Sequence, residues 1–178
     1  MMQVVVRGVK IECVTGNIVE QHDMDAIVNA ANAWLRPGGG VAGAIHHAAG
    51  PELERECQAL APIEPGQAVL TDGHRLRNRY VIHCLGPVYG RDEPASRLLA
   101  SCYREALARA EEAGIFSIAF PALSTGAFGY PIEDAARVAL ETVVHRTPHL
   151  ESVRYIRFVL SKDEDRDIHA RILKELTE

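Results

Sequence analysis

The sequence predicts an α/β protein in which helices cover both faces of a mixed β-sheet, a three-layer α/β/α sandwich. Short runs rich in β-branched residues alternate with segments of helical periodicity. Most of the runs are apolar almost throughout, which is typical of strands buried on both faces. The first two runs are separated only by Arg7 and Gly8, so we expect an antiparallel pair at one end.

The elements follow in order along the chain. The strands are predicted at 3–6, 9–14, 26–29, 68–71, 80–84, 117–120 and 154–160. The helices are predicted at 41–49, 51–60, 95–113, 132–145 and 166–176. Gly50 and Gly114 follow helices as stop signals, and Pro51 suits a first helical turn. With no repeat, linker or low-complexity tract, we expect one domain spanning residues 1–178.

Composition and charge narrow the classes of function. The chain is 47% hydrophobic and 24% charged, as in an average globular protein. A net charge of −5 gives no general attraction to nucleic acid, so an anionic ligand must be held by local geometry. The apolar runs are shorter than the roughly 20 residues that span a bilayer, and no secretory signal is recognisable. We therefore expect a cytoplasmic protein that contacts no membrane. We also expect it to be a monomer.

A first candidate site follows the strand at 26–29. Asn29 and Asn32 precede Gly38, Gly39 and Gly40, and the helix at 41–49 comes next. Glycines let a ligand approach the backbone, and the free N–H groups of a helix start attract phosphate. The alternative interpretation is an ordinary glycine-rich turn that caps the helix and binds no ligand. We interpret Asn29 as a tie for the adjoining loop and Asn32 as a contact to a ligand hydroxyl.

A second candidate site follows the strand at 117–120. Ser124, Thr125 and Gly126 form a hydroxyl and glycine loop before the helix at 132–145, and Phe128 lies between two glycines. Such a loop can form an anion nest, with the ring against a sugar, although an ordinary loop with Phe128 in the core is the alternative. Two such loops in one domain predict a diphosphate held between two strand ends.

The sequence does not support three other chemistries. Residues 38–43 satisfy G-x-G-x-x-G, but the expected acidic residue, Glu64, lies between prolines instead of ending a second strand. His46 and His47 are adjacent on a helix, and with His83 they lack metal-ligand spacing, so we expect no metal and no cofactor. The cysteines lie outside both loops, and we expect buried free thiols, not nucleophiles: Cys13, Cys57, Cys84 and Cys102.

Taken together, the two loops resemble those of the macrodomain family, whose members bind ADP-ribose and some of which remove it from proteins or small molecules. The resemblance also covers residues 16–18 and 81–87. It implies a mixed sheet of about six strands, and it implies ADP-ribose or ADP-ribosylated molecules as partners.

The resemblance also implies roles for individual residues. Asn17 and Ile18 would lie at the adenine end, and Asn32 and Phe128 at the distal ribose. The catalytic candidates are Asn32, Gly40 and Phe128. The ADP-ribose contacts would come from Asn17, Ile18, Asn32, Gly39, Gly40, Val41, Ala42, Ile45, Ser124, Thr125, Gly126, Ala127 and Phe128.

Three positions depart from the family pattern. Asn17 stands where aspartate is usual, and Ser161 falls where many members have an aromatic residue that stacks on adenine. Ala42 stands where a well-studied hydrolase subgroup has aspartate. The expectation is hydrolysis of ester-linked ADP-ribosyl groups, on an acidic side chain or as an O-acyl-ADP-ribose such as O-acetyl-ADP-ribose. The alternative is a non-catalytic ADP-ribose reader.

Overall fold

A single seven-stranded sheet forms the centre of the protein. The structure, a computed structural model, describes residues 2–178. The strands are β1 (Met2–Val6), β2 (Val9–Thr15), β3 (Ala26–Ala30), β4 (Ala68–Asp72), β5 (Tyr80–Cys84), β6 (Ser117–Phe120) and β7 (Tyr155–Leu160). Their order across the sheet is β1-β2-β7-β6-β3-β5-β4.

The mixed sheet is confirmed, but the count of about six strands is one too low. β1 pairs antiparallel with β2 at one edge, as expected, and β4 pairs antiparallel with β5 at the other. The turn between β1 and β2 is tight because Arg7 (φ 49°) and Gly8 (φ 80°) both adopt left-handed conformations. All seven runs predicted from the sequence are strands of the sheet.

Helices cover both faces of the sheet. They are α1 (Gly40–Ala49), α2 (Pro51–Gln58), α3 (Ala95–Glu112), α4 (Ile132–Arg146) and α5 (Asp163–Thr177). One core contains residues of α3, α4 and α5, and the second contains residues of α1 and α2. Ile27 and its neighbour Val28 belong to different cores because successive side chains of a strand point to opposite faces. This explains why the strands are apolar throughout.

The start of α5 differs from the prediction. Lys162 is extended (φ −130°, ψ 145°) and occupies the N-cap position, so the helix begins at Asp163. Asp163, Glu164 and Asp165 fill the first turn, where carboxylates interact favourably with the positive end of the helix. The helix therefore begins three residues before the start predicted at residue 166, and Asp163 and Asp165 lie inside it and do not cap it.

The sheet brings five loops to one edge. Strands β2, β3, β5, β6 and β7 run parallel, so their carboxyl ends meet at the same side. The two glycine loops leave β3 and β6, which are adjacent strands despite being far apart in sequence. Among residues 2–178, no helix combines the length and hydropathy needed to cross a bilayer.

Candidate functional site

A cleft of about 820 Å³ opens at the carboxyl ends of the parallel strands. Both glycine loops line it, together with the segments that follow β2 and β7. Every candidate contact except Ile45 lines this cleft: Asn17, Ile18, Asn32, Gly39, Gly40, Val41, Ala42, Ser124, Thr125, Gly126, Ala127 and Phe128. The structure thus brings together residues from positions 17 to 128 of the chain.

Ile45 is a correction to the predicted site. Its side chain is fully buried in the core beneath α1 and α2 and does not line the cleft. Val41, Ala42 and Ala44 of the first turns reach the cleft, whereas Ile45 lies on the face of α1 that packs against the sheet. Ile45 therefore supports the helix and is not positioned to contact a ligand.

The first loop presents free donors at the start of α1. Gly39 occupies the N-cap position and provides no side-chain acceptor. Among the described residues, the N–H groups of Gly40, Val41 and Ala42 have no hydrogen-bond acceptor. These orphan donors and the helix dipole together favour an anion.

Gly43 keeps the first loop close to the helix. A Cβ atom built at Gly43 would lie 2.2 Å from the carbonyl oxygen of Gly38. No side chain fits in that space, since carbon and oxygen atoms normally stay more than about 3 Å apart. The glycine therefore sets the position of Gly38 and of the donors that follow it.

Asn32 stabilises the first loop through hydrogen bonds and also lines the cleft. Its Nδ2 donates to the carbonyl of Arg36 at 2.8 Å, and its Oδ1 accepts from the N–H of Arg36 at 3.0 Å. The expected loop tie thus belongs to Asn32. One N–H and one lone pair of the amide remain for a ligand.

The second loop is a compact turn with unpaired donors. The N–H of Tyr130 donates to the carbonyl of Ser124 at 2.9 Å, and Gly129 donates to Gly126 at 3.0 Å. The N–H groups of Gly126, Ala127 and Phe128 have no acceptor within residues 2–178. The loop therefore offers a second set of donors to the same cleft.

Ser124 is held in an unusual conformation in this loop. It has φ 68°, in the left-handed region that residues with a Cβ rarely occupy. Its side chain is buried, and Oγ has no partner among the described residues. A Cβ built at Gly86 would come within 2.1 Å of this Oγ, so a side chain at position 86 would force the hydroxyl to turn away. A strained residue with an unsatisfied polar group is typical of a ligand site.

The opposite end of the cleft lacks an aromatic platform. Asn17 lies at this end, and its Oδ1 accepts from the N–H of Val19 at 3.1 Å. Ser161 lines the cleft, whereas Phe158 is fully buried and stacks on Phe120 with 5.6 Å between ring centroids. Within residues 2–178, Phe128 is the one aromatic residue of the cleft lining.

Asp165 lines the cleft and was not anticipated from the sequence. It stands in the charged run 162–167, whose sequence is typical of a solvated loop and a helix start. Among the described residues that line the cleft, Asp165 is the one with an ionisable side chain. Ala42 leaves the first loop without a carboxylate, so the lining near the two glycine loops is neutral.

Asn29 has a different role from the expected loop tie. It is buried, and its Nδ2 donates to Nδ1 of His83 on the neighbouring strand at 3.0 Å. Nε2 of His83 then carries the proton and donates to Thr71 Oγ1 at 2.9 Å. Burial, with His46 nearby, lowers the pKa of His83 to about 3. Asn29 and His83 are therefore a neutral structural pair in the core.

The remaining histidines and cysteines lie outside the cleft lining. His46 is buried in α1, where desolvation lowers its pKa. The residues described contain no group of three or more metal-ligating side chains. All four cysteines are free and buried, which confirms the prediction. Burial raises the pKa of Cys57 to about 11, so it is a poor nucleophile.

Comparison with known proteins agrees with this architecture. Residues 28–139 match the model of the Macro domain. A macro domain-containing protein of Caldanaerobacter subterraneus subsp. tengcongensis is 44% identical over 174 residues, or 94% of this chain and 97% of that protein.

Two solved structures are also similar to the chain. The Oceanobacillus iheyensis macrodomain with ADP has a TM-score of 0.93 at 38% identity, covering 98% of this chain and 95% of that one. The Trypanosoma brucei macrodomain in complex with ADP-ribose has a TM-score of 0.84 at 36% identity, covering 90% and 68%. Because sequence and structure agree over most of its length, this chain belongs to the Macro domain family.

Proposed function

We propose that this protein binds ADP-ribose and hydrolyses ester-linked ADP-ribosyl groups. The observation that carries the proposal is the pair of loops, each with unpaired N–H groups, that line one cleft at the ends of adjacent strands. A diphosphate supplies acceptors for both loops at once. The Oceanobacillus iheyensis and Trypanosoma brucei macrodomains were solved with ADP and ADP-ribose, respectively, which supports this ligand class.

The size and polarity of the cleft suit a dinucleotide-sized ligand. A volume of about 820 Å³ lies within the range of typical small-molecule sites, roughly 300–1,000 Å³. In the proposed pose, the diphosphate lies between the two loops, and the distal ribose lies near Asn32 and Phe128. Asn17 and Ile18 hold the adenosine half. The chain's net charge of −5 makes this local arrangement of donors essential.

Hydrolysis in this cleft would depend on positioning. Water attacks the ester, the ester bond breaks, and ADP-ribose and a carboxylic acid are released. Asn32 orients the ribose with its remaining N–H, while the loops hold the diphosphate in place. The neutral lining near the loops offers no carboxylate base, so a phosphate oxygen of the ligand assists deprotonation of the water.

A non-catalytic reader is the second candidate function, and Ala42 favours it. The first turn of α1 carries no acidic side chain. If the water requires a protein carboxylate for activation, the cleft binds ADP-ribose without turnover. Tight binding with no release of product would select this function.

One preparation tests both functions. ADP-ribose affinity is measured by calorimetry, and product release is followed with O-acetyl-ADP-ribose and with protein mono-ADP-ribosylated on acidic side chains. We expect wild-type turnover and at least a tenfold slower rate for Asn32→Ala. Absence of release by the wild type, with Asn32→Ala behaving identically, would refute hydrolysis. Absence of ADP-ribose binding would refute the whole proposal.

Gly40→Glu tests the first loop directly. Gly40 has φ 56°, and the substitution introduces both backbone strain and a negative charge where the phosphate is proposed to bind. We expect loss of both binding and turnover. Gly90→Glu is the matched control, because Gly90 also has a positive φ (83°) and open space around it but does not line the cleft.

A further inference from the structure

We infer that Asp165 recognises the adenosine half of the ligand, accepting a hydrogen bond from the base amino group or from a ribose hydroxyl. The inference rests on the proposed binding of ADP-ribose and adds a specificity determinant from α5. Asp165 lies in the first turn of that helix. It is four residues beyond Ser161, the position that the family resemblance associates with adenine.

The first observation is the charge of Asp165 in an otherwise neutral lining. Among the described residues around the cleft, it is the one with an ionisable side chain. A carboxylate in a cleft for a diphosphate repels the ligand unless the ligand supplies it with donors. The adenosine half has such donors in its amino group and ribose hydroxyls, whereas the diphosphate has none.

The second observation is that the carboxylate of Asp165 has no partner among the described residues, whereas those of Asp163 and Asp167 are engaged. Asp163 accepts from Thr15 Oγ1 at 2.7 Å, and Asp167 accepts from Arg166 at 2.9 Å. Within residues 2–178, no side chain or backbone group forms a hydrogen bond or ion pair with the Asp165 carboxylate. Its acceptor capacity is therefore available to a ligand.

The third observation is that the backbone at Asp165 is fixed in place. Nδ1 of the buried His169 donates to the carbonyl of Asp165 at 2.7 Å. The bond between Thr15 and Asp163 ties the same helical turn to the end of β2. A residue held at two points can define the position of a ligand group without a large cost in entropy.

The position of α5 places Asp165 toward the β2 side of the cleft. The two loops proposed to bind the phosphates follow β3 and β6, whereas α5 follows β7, which lies between β6 and β2, and Thr15 at the end of β2 ties the first turn of α5 to that side. Asn17, at the same end, already uses one lone pair of Oδ1 to cap Val19. Asp165 supplies the charged acceptor that Asn17 lacks.

Calorimetry on three variants tests the inference. We expect Asp165→Ala to raise the Kd for ADP-ribose about tenfold or more, since hydrogen bonds to charged groups are the stronger class. Asp165→Asn keeps a neutral acceptor and should lose less. Asp167→Ala is the matched control on the same helix, because Asp167 does not line the cleft. Thermal unfolding of each variant establishes that it is folded.

Two analogues identify the donor. Inosine diphosphate ribose replaces the amino group with a carbonyl, and a 2′-deoxyadenosine analogue lacks one hydroxyl. The wild type should discriminate against one of them, and Asp165→Ala should remove that discrimination. An unchanged ADP-ribose Kd in a folded Asp165→Ala protein overturns the inference while leaving the proposed function intact. A wild type that does not bind ADP-ribose overturns both.

Discussion

Gly43→Ala tests whether the first loop binds the diphosphate through its backbone. The added Cβ would lie 2.2 Å from the Gly38 carbonyl oxygen and 3.3 Å from the Gly38 carbonyl carbon. Separation of these atoms to ordinary contact requires a shift of about 1 Å. The N–H of Gly43 donates to Gly39, so the helix and the loop move against a hydrogen bond. The free donors next to Gly39 are then displaced.

The expected change in affinity exceeds the change in stability. Losing one good hydrogen bond to a charged phosphate costs about 1.5–3 kcal/mol, which raises the ADP-ribose Kd about tenfold to a hundredfold. Alanine favours the helix by about 1 kcal/mol over glycine, which partly offsets the steric strain of about 1–3 kcal/mol. Calorimetry gives the Kd, and urea unfolding gives the free energy of unfolding.

Gly73→Ala is the control for the steric effect. A Cβ at Gly73 would lie 1.9 Å from the carbonyl oxygen of Asn78, a similar clash at a site that does not line the cleft. We expect this variant to lose stability while its folded molecules keep the wild-type Kd. If Gly43→Ala also binds ADP-ribose within twofold of the wild type, the backbone of this loop does not determine affinity and the reasoning fails.

Two further predictions concern buried polar groups. His83 is neutral in the fold at pH 5 because burial holds its pKa at about 3, whereas the unfolded chain protonates near 6.5. The stability that neutral His83 contributes is thus present above pH 6.5 and is lost as the pH falls toward 3. From His83 alone, the free energy of unfolding measured with urea should be about 2 kcal/mol lower at pH 5 than at pH 7.5. Equal stabilities would contradict this. Ser124→Ala removes a buried hydroxyl without a partner, so stability should stay equal or rise while calorimetry shows weaker ADP-ribose binding; unchanged affinity would exclude contact with the ligand.

The strands could be predicted from the sequence because both faces of each are buried. Every predicted strand agrees with the observed one to within one residue at either end. Two cores sandwich the sheet, so residues such as Ile27 and Val28 are both apolar and the run stands out from its surroundings. Each of the two glycine loops is followed by a helix, and this pattern likewise predicts most of the residues that line the cleft.

Other features depend on contacts that the local sequence does not contain. Asn29 finds its partner His83 54 residues along the chain, because β3 and β5 are neighbours. Helical periodicity places Ile45 on a face but does not say whether that face meets the sheet or the cleft. Asp165 lies in a run of charged residues, and the fold alone selects it from its neighbours. Contacts between segments that are far apart in the sequence determine the surroundings of all three residues.

The adjacency of β3 and β6 has a consequence for any binding measurement. The donors after β3 and those after β6 belong to segments more than 80 positions apart, and they meet only when the intervening chain has folded. A partly unfolded molecule would therefore lack one of the two sets of N–H donors that are proposed to hold the ligand. Saturating ligand should raise the melting temperature of the entire protein through mass action, which makes heat resistance a direct reporter of occupancy.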